Sequence, residues 1–259
     1  MKILTVETIG VRIYKTIKSA KDKLFIQSEM IHLTNLAYDE YLKSIEHSEV
    51  EFINVEYPIG YRADHSILLS KPREYSTDNF IKYITSLKIN KLPIDGIFQL
   101  VIIIESLLNE LVSIILFEYP KKIPNKKMLD VGTIISCESL EIIKQRIIEI
   151  IVNEISYKSP KDFATEFENI TGINLFEIPA YHHYVELKAT RDIYIHNNGI
   201  SNSIYFSKSG SLARVNPGEV LPVTNQYFLM TYEKCLQLTE VLEKTFNEIW
   251  PSNLTSENE

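Results

Sequence analysis

Gly96-Ile97-Phe98-Gln99-Leu100-Val101-Ile102-Ile103-Ile104-Glu105-Ser106-Leu107-Leu108-Asn109-Glu110-Leu111-Val112-Ser113-Ile114-Ile115-Leu116-Phe117-Glu118-Tyr119 is the stretch that decides the fold. Its β-branched run, Val101 to Ile104, has the composition of a buried strand. Length arbitrates. More than twenty residues pass without a breaker, too many for a strand and ordinary for a helix. The stretch is apolar on most sides, which predicts the central core helix. Its most apolar window, Ile97 to Phe117, still holds Gln99, Glu105, Asn109 and Glu110, so it reads as a buried helix rather than a membrane span.

The rest of the chain supports a mainly α fold. It has 259 residues, enough for a large core, and only 8 glycines, too few for a turn-rich β fold. Cys137 and Cys235 have no CxxC partner. They make no disulfide framework or paired-cysteine zinc site and suit a reducing cytoplasm. The start, Met1 to Glu7, shows no apolar secretion signal. A net charge of −7 argues against coating nucleic acid by bulk charge, though a small basic site remains compatible.

Upstream, residues 1 to about 47 read as helix, with Ile13, Ile17, Leu24, Ile31 and Leu42 among charged residues. Tyr57-Pro58-Ile59-Gly60 reads as a turn and boundary. Ser76-Thr77-Asp78 can cap a helix through Phe80, Ile81, Ile84 and Leu87 that Pro93 ends or separates. Downstream, Pro120 to Lys127 is a loop with four lysines, either solvated or phosphate-contacting. Ser136 or Ser139 caps a helix to about Tyr157, Pro160 opens a short helix that Thr171-Gly172 ends, and Pro179 opens the next. Ile204-Tyr205-Phe206 and Val220 to Val223 look extended, a loop or small hairpin near 200–223. Thr224 or Asn225 caps a last helix to about Trp250.

The helix after Pro179 carries most of the chemistry. Arg191, Asp192, His196, Asn197 and Asn198 crowd its end before Gly199. Asp192 and His196 are i and i+4 and share a face, so the aspartate can orient the imidazole. Arg191 and His196 are roughly 140° apart around the helix. They are not aligned within one chain, and a two-fold dimer would bring two Arg–His pairs to one cleft. Such a cleft suits RNA phosphodiester cleavage: histidine moves protons, arginine holds the phosphate, and neither step needs a metal. The alternative is a buried histidine bonded to Asp192 and an arginine in a surface ion pair. His182 and Glu186, also i and i+4, could touch a metal but have no third ligand. Tyr181, Tyr184 and Tyr194 are packing or base-stacking residues.

The phrase Glu186-Leu187-Lys188-Ala189-Thr190-Arg191-Asp192-Ile193-Tyr194-Ile195-His196-Asn197-Asn198-Gly199-Ile200 resembles the motif of HEPN domains: arginine, a polar residue, then histidine four to six residues after the arginine, often followed by Asn and Gly. Asn is more frequent than Asp at the position of Asp192. The similarity covers roughly residues 75 to 250. It implies a HEPN-like helical bundle at 71–250; residues 1–70 read as an extra N-terminal helical portion of unknown role and 251–259 as a flexible tail. It implies a metal-independent, homodimeric endoribonuclease of bacterial defence or toxin–antitoxin systems, without cofactor or membrane and with an antitoxin or regulatory partner. Arg191 and His196 would be catalytic, with Asp192 orienting the histidine or shaping the site. Asn197, Asn198, Glu186, His183, Lys208 and Arg214 are weaker candidates for RNA contact. A non-catalytic module that binds RNA, a nucleotide or a protein is the alternative.

Overall fold

Caps and breakers in the sequence set most of the element boundaries. A computed structural model describes residues 7–48, 50–123, 128 and 130–253. Their order is α1 (Ile9–Glu46), β1 (Phe52–Val55), β2 (Pro58–Tyr61), β3 (Ile67–Leu69), β4 (Arg73–Ser76), α2 (Thr77–Ser86), α3 (Leu92–Glu118), α4 (Val131–Ser136), α5 (Leu140–Ser156), α6 (Pro160–Thr171), α7 (Pro179–His196), α8 (Ser203–Ser209) and α9 (Asn225–Ile249). Helix makes up 72% and strand 7%, so the fold is mainly α. Thr8, Ser139, Ser159 and Thr224 each accept a backbone N–H at a helix start. Gly172 ends α6 in the left-handed region, where a side chain would be strained. Of the basic loop, Pro124 to Lys127 lie outside the described residues, as do residues 254–259 of the tail.

The long apolar stretch is the central helix. Leu100, Val101, Ile104, Leu108, Leu111, Val112, Ile115 and Leu116 of α3 are buried, and α1, α5, α6, α7 and α9 surround it. In α1, Ile13, Ile17, Ala20, Leu24 and Ile31 recur at three-, four- and seven-residue steps and form one buried face of this same core. The continuous helical run Thr77–Glu118 is long and apolar enough to cross a membrane, and 56% of its most apolar window is buried within the fold.

Three local expectations are corrected. Pro93 does not end its helix, because α2 runs into α3 through a π turn, Leu87–Lys91. There the Leu92 N–H bonds back to the Leu87 carbonyl, so the ladder has already shifted where proline lacks its donor, and Pro93 sits in the first turn of α3. Tyr57-Pro58-Ile59-Gly60 is not a turn. Residues 58–61 form β2, whose register with β3 shifts between Pro58 and Gly60, and both strands expose their side chains. An exposed, irregular strand tolerates Pro and Gly where a central one would not. This pair is nested inside the antiparallel β1–β4 pair, forming a β-arm rooted on Ile45, Phe80 and Ile84.

The third correction concerns Ile204-Tyr205-Phe206, which lies in α8 because the Asn202 side chain caps it through the Tyr205 N–H, 2.9 Å. The insertion near 200–223 is thus a loop with a short helix. A single antiparallel bridge, Ile200 to Val220, closes it, and the paired strands of the described chain lie at 52–76.

Candidate active site

Pro179 starts α7; Tyr181, Tyr184 and Leu187 pack into the main core, and Ala189 and Ile193 into a small cluster with Tyr205 and Leu221. The helix stops sharply. The Asn197 N–H closes on the Ile193 carbonyl at 2.9 Å, and Asn198 and Gly199 then both take left-handed backbone angles. A Cβ at Gly199 would sit 3.1 Å from the Tyr194 ring, so only glycine passes easily. The Asn197 side chain donates to the Ile200 carbonyl and fixes the turn. Asn198 is exposed.

This ending places Arg191, Asp192 and His196 along a cleft of about 490 Å³ between α3, α5, α6, α7 and α8. Arg191 and His196 point into one hollow although the helix separates them, because the arginine is long enough to lean across. Charges alternate along the cleft. Lys188 Nζ lies 2.6 Å from Glu105 Oε1, and Arg191 Nη2 donates to the same oxygen at 3.0 Å. Arg191 Nε lies 3.3 Å from Asp192 Oδ1, and Lys208 Nζ lies 3.5 Å from Asp192 Oδ2. The Arg191 Nε contact is close enough for ion pairing but lacks hydrogen-bond geometry, which leaves that buried N–H without an acceptor. Three cations face two carboxylates here, an excess of one positive charge.

His196 stands exposed at the mouth. It also lines a second hollow of about 240 Å³ with Asp192 and Lys208, so it sits on a ridge between the two. It makes no hydrogen bond among the described residues. The expectation that Asp192 orients it is therefore corrected: the aspartate oxygens turn to Arg191 and Lys208.

The weaker candidates separate. Lys208 joins the cleft. Glu186 does not. It is 4% exposed, and its carboxylate accepts from Thr190 Oγ1, the Tyr205 hydroxyl, Arg214 Nε and the Tyr227 hydroxyl at 2.6–3.1 Å. Arg214 stacks 3.6 Å over the Tyr227 ring and donates to Thr190 Oγ1 and the Pro222 carbonyl. Burial pushes the Tyr227 hydroxyl well above its ordinary pKa, with the Glu186 charge adding to it, so it remains a donor. These two residues fasten the loop after α7, and neither lines the cleft. His183 is half-buried beside Lys234 of α9, away from the cleft, and burial followed by that lysine lowers its pKa. His182 Nε2 contacts the Phe176 carbonyl at 2.9 Å, so His182 and Glu186 do not converge. No group of three metal-ligating side chains occurs among the described residues. Tyr181 and Tyr184 are buried packing residues, and Tyr194 hydrogen-bonds the Leu221 carbonyl.

Glu105 is the cleft residue that motif reading misses. Its signal is a carboxylate one turn before Asn109, inside the most apolar helix of the chain. No protein-family model, curated protein or solved structure matches this chain.

Proposed function

We propose that this chain is a metal-independent endoribonuclease of HEPN type, acting as a homodimer on single-stranded or looped RNA. The observation carrying this reading is that Arg191 and His196 line one open cleft beside Lys188 and Lys208. Arg191 takes the scissile phosphate, exchanging part of its hold on Glu105 for it and spreading the charge that develops in the transition state. His196 accepts the 2′-hydroxyl proton or gives one to the leaving 5′-oxygen. RNA is chosen because its own 2′-hydroxyl attacks. Asp192 shapes the site by holding Arg191 and Lys208. The ridge under His196 lets a strand cross from one hollow to the other.

Exposed Ile195, Ile200, Ile204 and Val220 flank the motif and are what a second copy would cover. A cytoplasmic defence or toxin–antitoxin setting, with an antitoxin or regulatory partner, belongs to the same reading. A second reading, a non-catalytic module binding RNA, a nucleotide or a protein, is favoured by one observation: His196 has no partner among the described residues to fix its tautomer.

The test is RNA cleavage in EDTA by wild type, Arg191→Ala and His196→Ala, after each is checked for folding and dimer mass. Cleavage by wild type leaving a 2′,3′-cyclic phosphate, with a loss of about 100-fold or more in either variant, is expected. Equal cleavage by all three would overturn the Arg–His mechanism. RNA binding without cleavage, unchanged in His196→Ala, would favour the second reading.

A further inference from the structure

The cleft does not end at the motif. Beyond Arg191 it continues past Asn109, Asn153, Ser156 and Tyr157. We propose that this far end is a nucleobase subsite, which selects the base next to the phosphate held by Arg191. Its place in the reaction rests on the ribonuclease reading; its existence as a binding site does not.

The two ends differ in chemistry. The near end is ionic, with Lys188, Glu105, Arg191, Asp192 and Lys208 in alternation. The far end presents carboxamides and an aromatic ring. Lys158 at its rim is already paired with Glu166 at 2.5 Å. A phosphate needs the first environment. A base needs the second: a flat surface to stack on and neutral donors and acceptors at its edge.

Spacing fits as well. Glu105 and Asn109 are i and i+4 on α3, about 6 Å apart along the helix axis. That is comparable to the separation of phosphate and base within one nucleotide. The Ser156 hydroxyl, whose one proton goes to the Val152 carbonyl at 2.6 Å, lies 3.1 Å from the Asn109 carboxamide and holds it in place. That carboxamide has no other partner among the described residues, so the end turned away from Ser156 is open to a base edge. Asn153, exposed on α5, carries a second carboxamide with no partner among the described residues. A carboxamide offers a donor and an acceptor side by side in one plane, as base edges do. Tyr157 is 85% exposed at the rim and stacks on no ring among the described residues. So large an exposed ring beside a cleft is a platform for stacking.

The experiment titrates inorganic phosphate and the four nucleoside 3′- and 5′-monophosphates into full-length His196→Ala by calorimetry, with Tyr157→Ala or Asn153→Ala added. Both added changes are at exposed positions, and melting curves check the fold. In one of the two series the best nucleotide should bind about tenfold tighter than phosphate, and Tyr157→Ala should remove about that factor while leaving phosphate affinity unchanged. Asn153→Ala should bring the four bases closer together in affinity. Nucleotides that bind no tighter than phosphate, or a Tyr157→Ala protein that binds them as well as its parent, would overturn the subsite. Binding is read without the histidine, so a wild type that cuts no RNA leaves the subsite standing. RNA cleavage without base-dependent binding removes the subsite and leaves the ribonuclease reading.

Discussion

Two glutamate–arginine pairs flank α7, and they have opposite fates. Glu186 and Arg214 are enclosed by Thr190, Tyr205 and Tyr227, with the Glu186 side chain only 5% exposed. Glu105 and Arg191 look onto an open cleft, the glutamate is shared with Lys188, and the Arg191 Nε–H lacks a hydrogen-bond acceptor. The same two residue types thus build a clamp on one side of the helix and, in the function proposed above, a place for an anion on the other. The difference is not the ion pair but whether its hydrogen bonds are complete. A closed set has nothing left to offer a ligand. An incomplete one, facing water, exchanges partners at little cost.

Cutting each pair should separate activity from stability. Arg191→Ala should leave melting nearly unchanged while the cleavage proposed above is lost. Glu186→Ala should do the reverse to the fold: leaving Arg214 and three buried hydroxyls without their acceptor should cost about 3 kcal/mol. For a chain of this size that lowers Tm by roughly 8 °C. Calorimetry on both variants checks the contrast; equal Tm losses would dissolve it.

A smaller effect is expected at Glu105. Glu105→Gln removes the anion that already occupies Arg191 and Lys188, so inorganic phosphate should bind about fivefold tighter at low salt, less so at high salt. Turnover should fall, because the guanidinium loses its anchor. Phosphate affinity that ignores the change would mean Glu105 does not compete for the site.

Least affected is the pH response of the clamp side. His183 has its pKa lowered below the ordinary 6.5 by burial and by Lys234. The unfolded chain therefore takes up this proton first as pH falls. The contribution to stability is fully present above pH 6.5 and fades as pH drops through the folded value. His183→Gln should reduce the Tm loss between pH 7.5 and 5.5 by no more than about 2 °C. An identical loss in wild type and variant would show that His183 plays no part.

How much of this was legible in the sequence depends on how local the cause was. The caps at Ser139 and Thr224, the stop at Gly172 and the start at Pro179 act within a few residues, and their helices begin and end where the sequence places them. Arg191, Asp192 and His196 could be read as neighbours because one helix carries them. Glu105 could not be joined to Arg191, since 86 residues separate them and only the packing of α3 on α7 brings them together. Glu186 looked available because its partners, Tyr205, Arg214 and Tyr227, come from three later segments. The β-arm was hidden because Pro58 and Gly60 punctuate turns far more often than strands. Pro93 misled for a related reason: a helix can shift its own ladder to admit a proline, and nothing local announces the shift.

The closed clamp also has a consequence for inheritance. Thr190, Glu186, Tyr205, Arg214 and Tyr227 form one hydrogen-bonded unit, so a lineage that alters one of them strands the others in a buried place. Drift at these positions should be coupled, with partners exchanged as sets or kept together, whereas the open cleft can accept single replacements along its walls. Descendants of this chain would then diversify in what the cleft holds long before they diversify in how the loop after α7 is tied down.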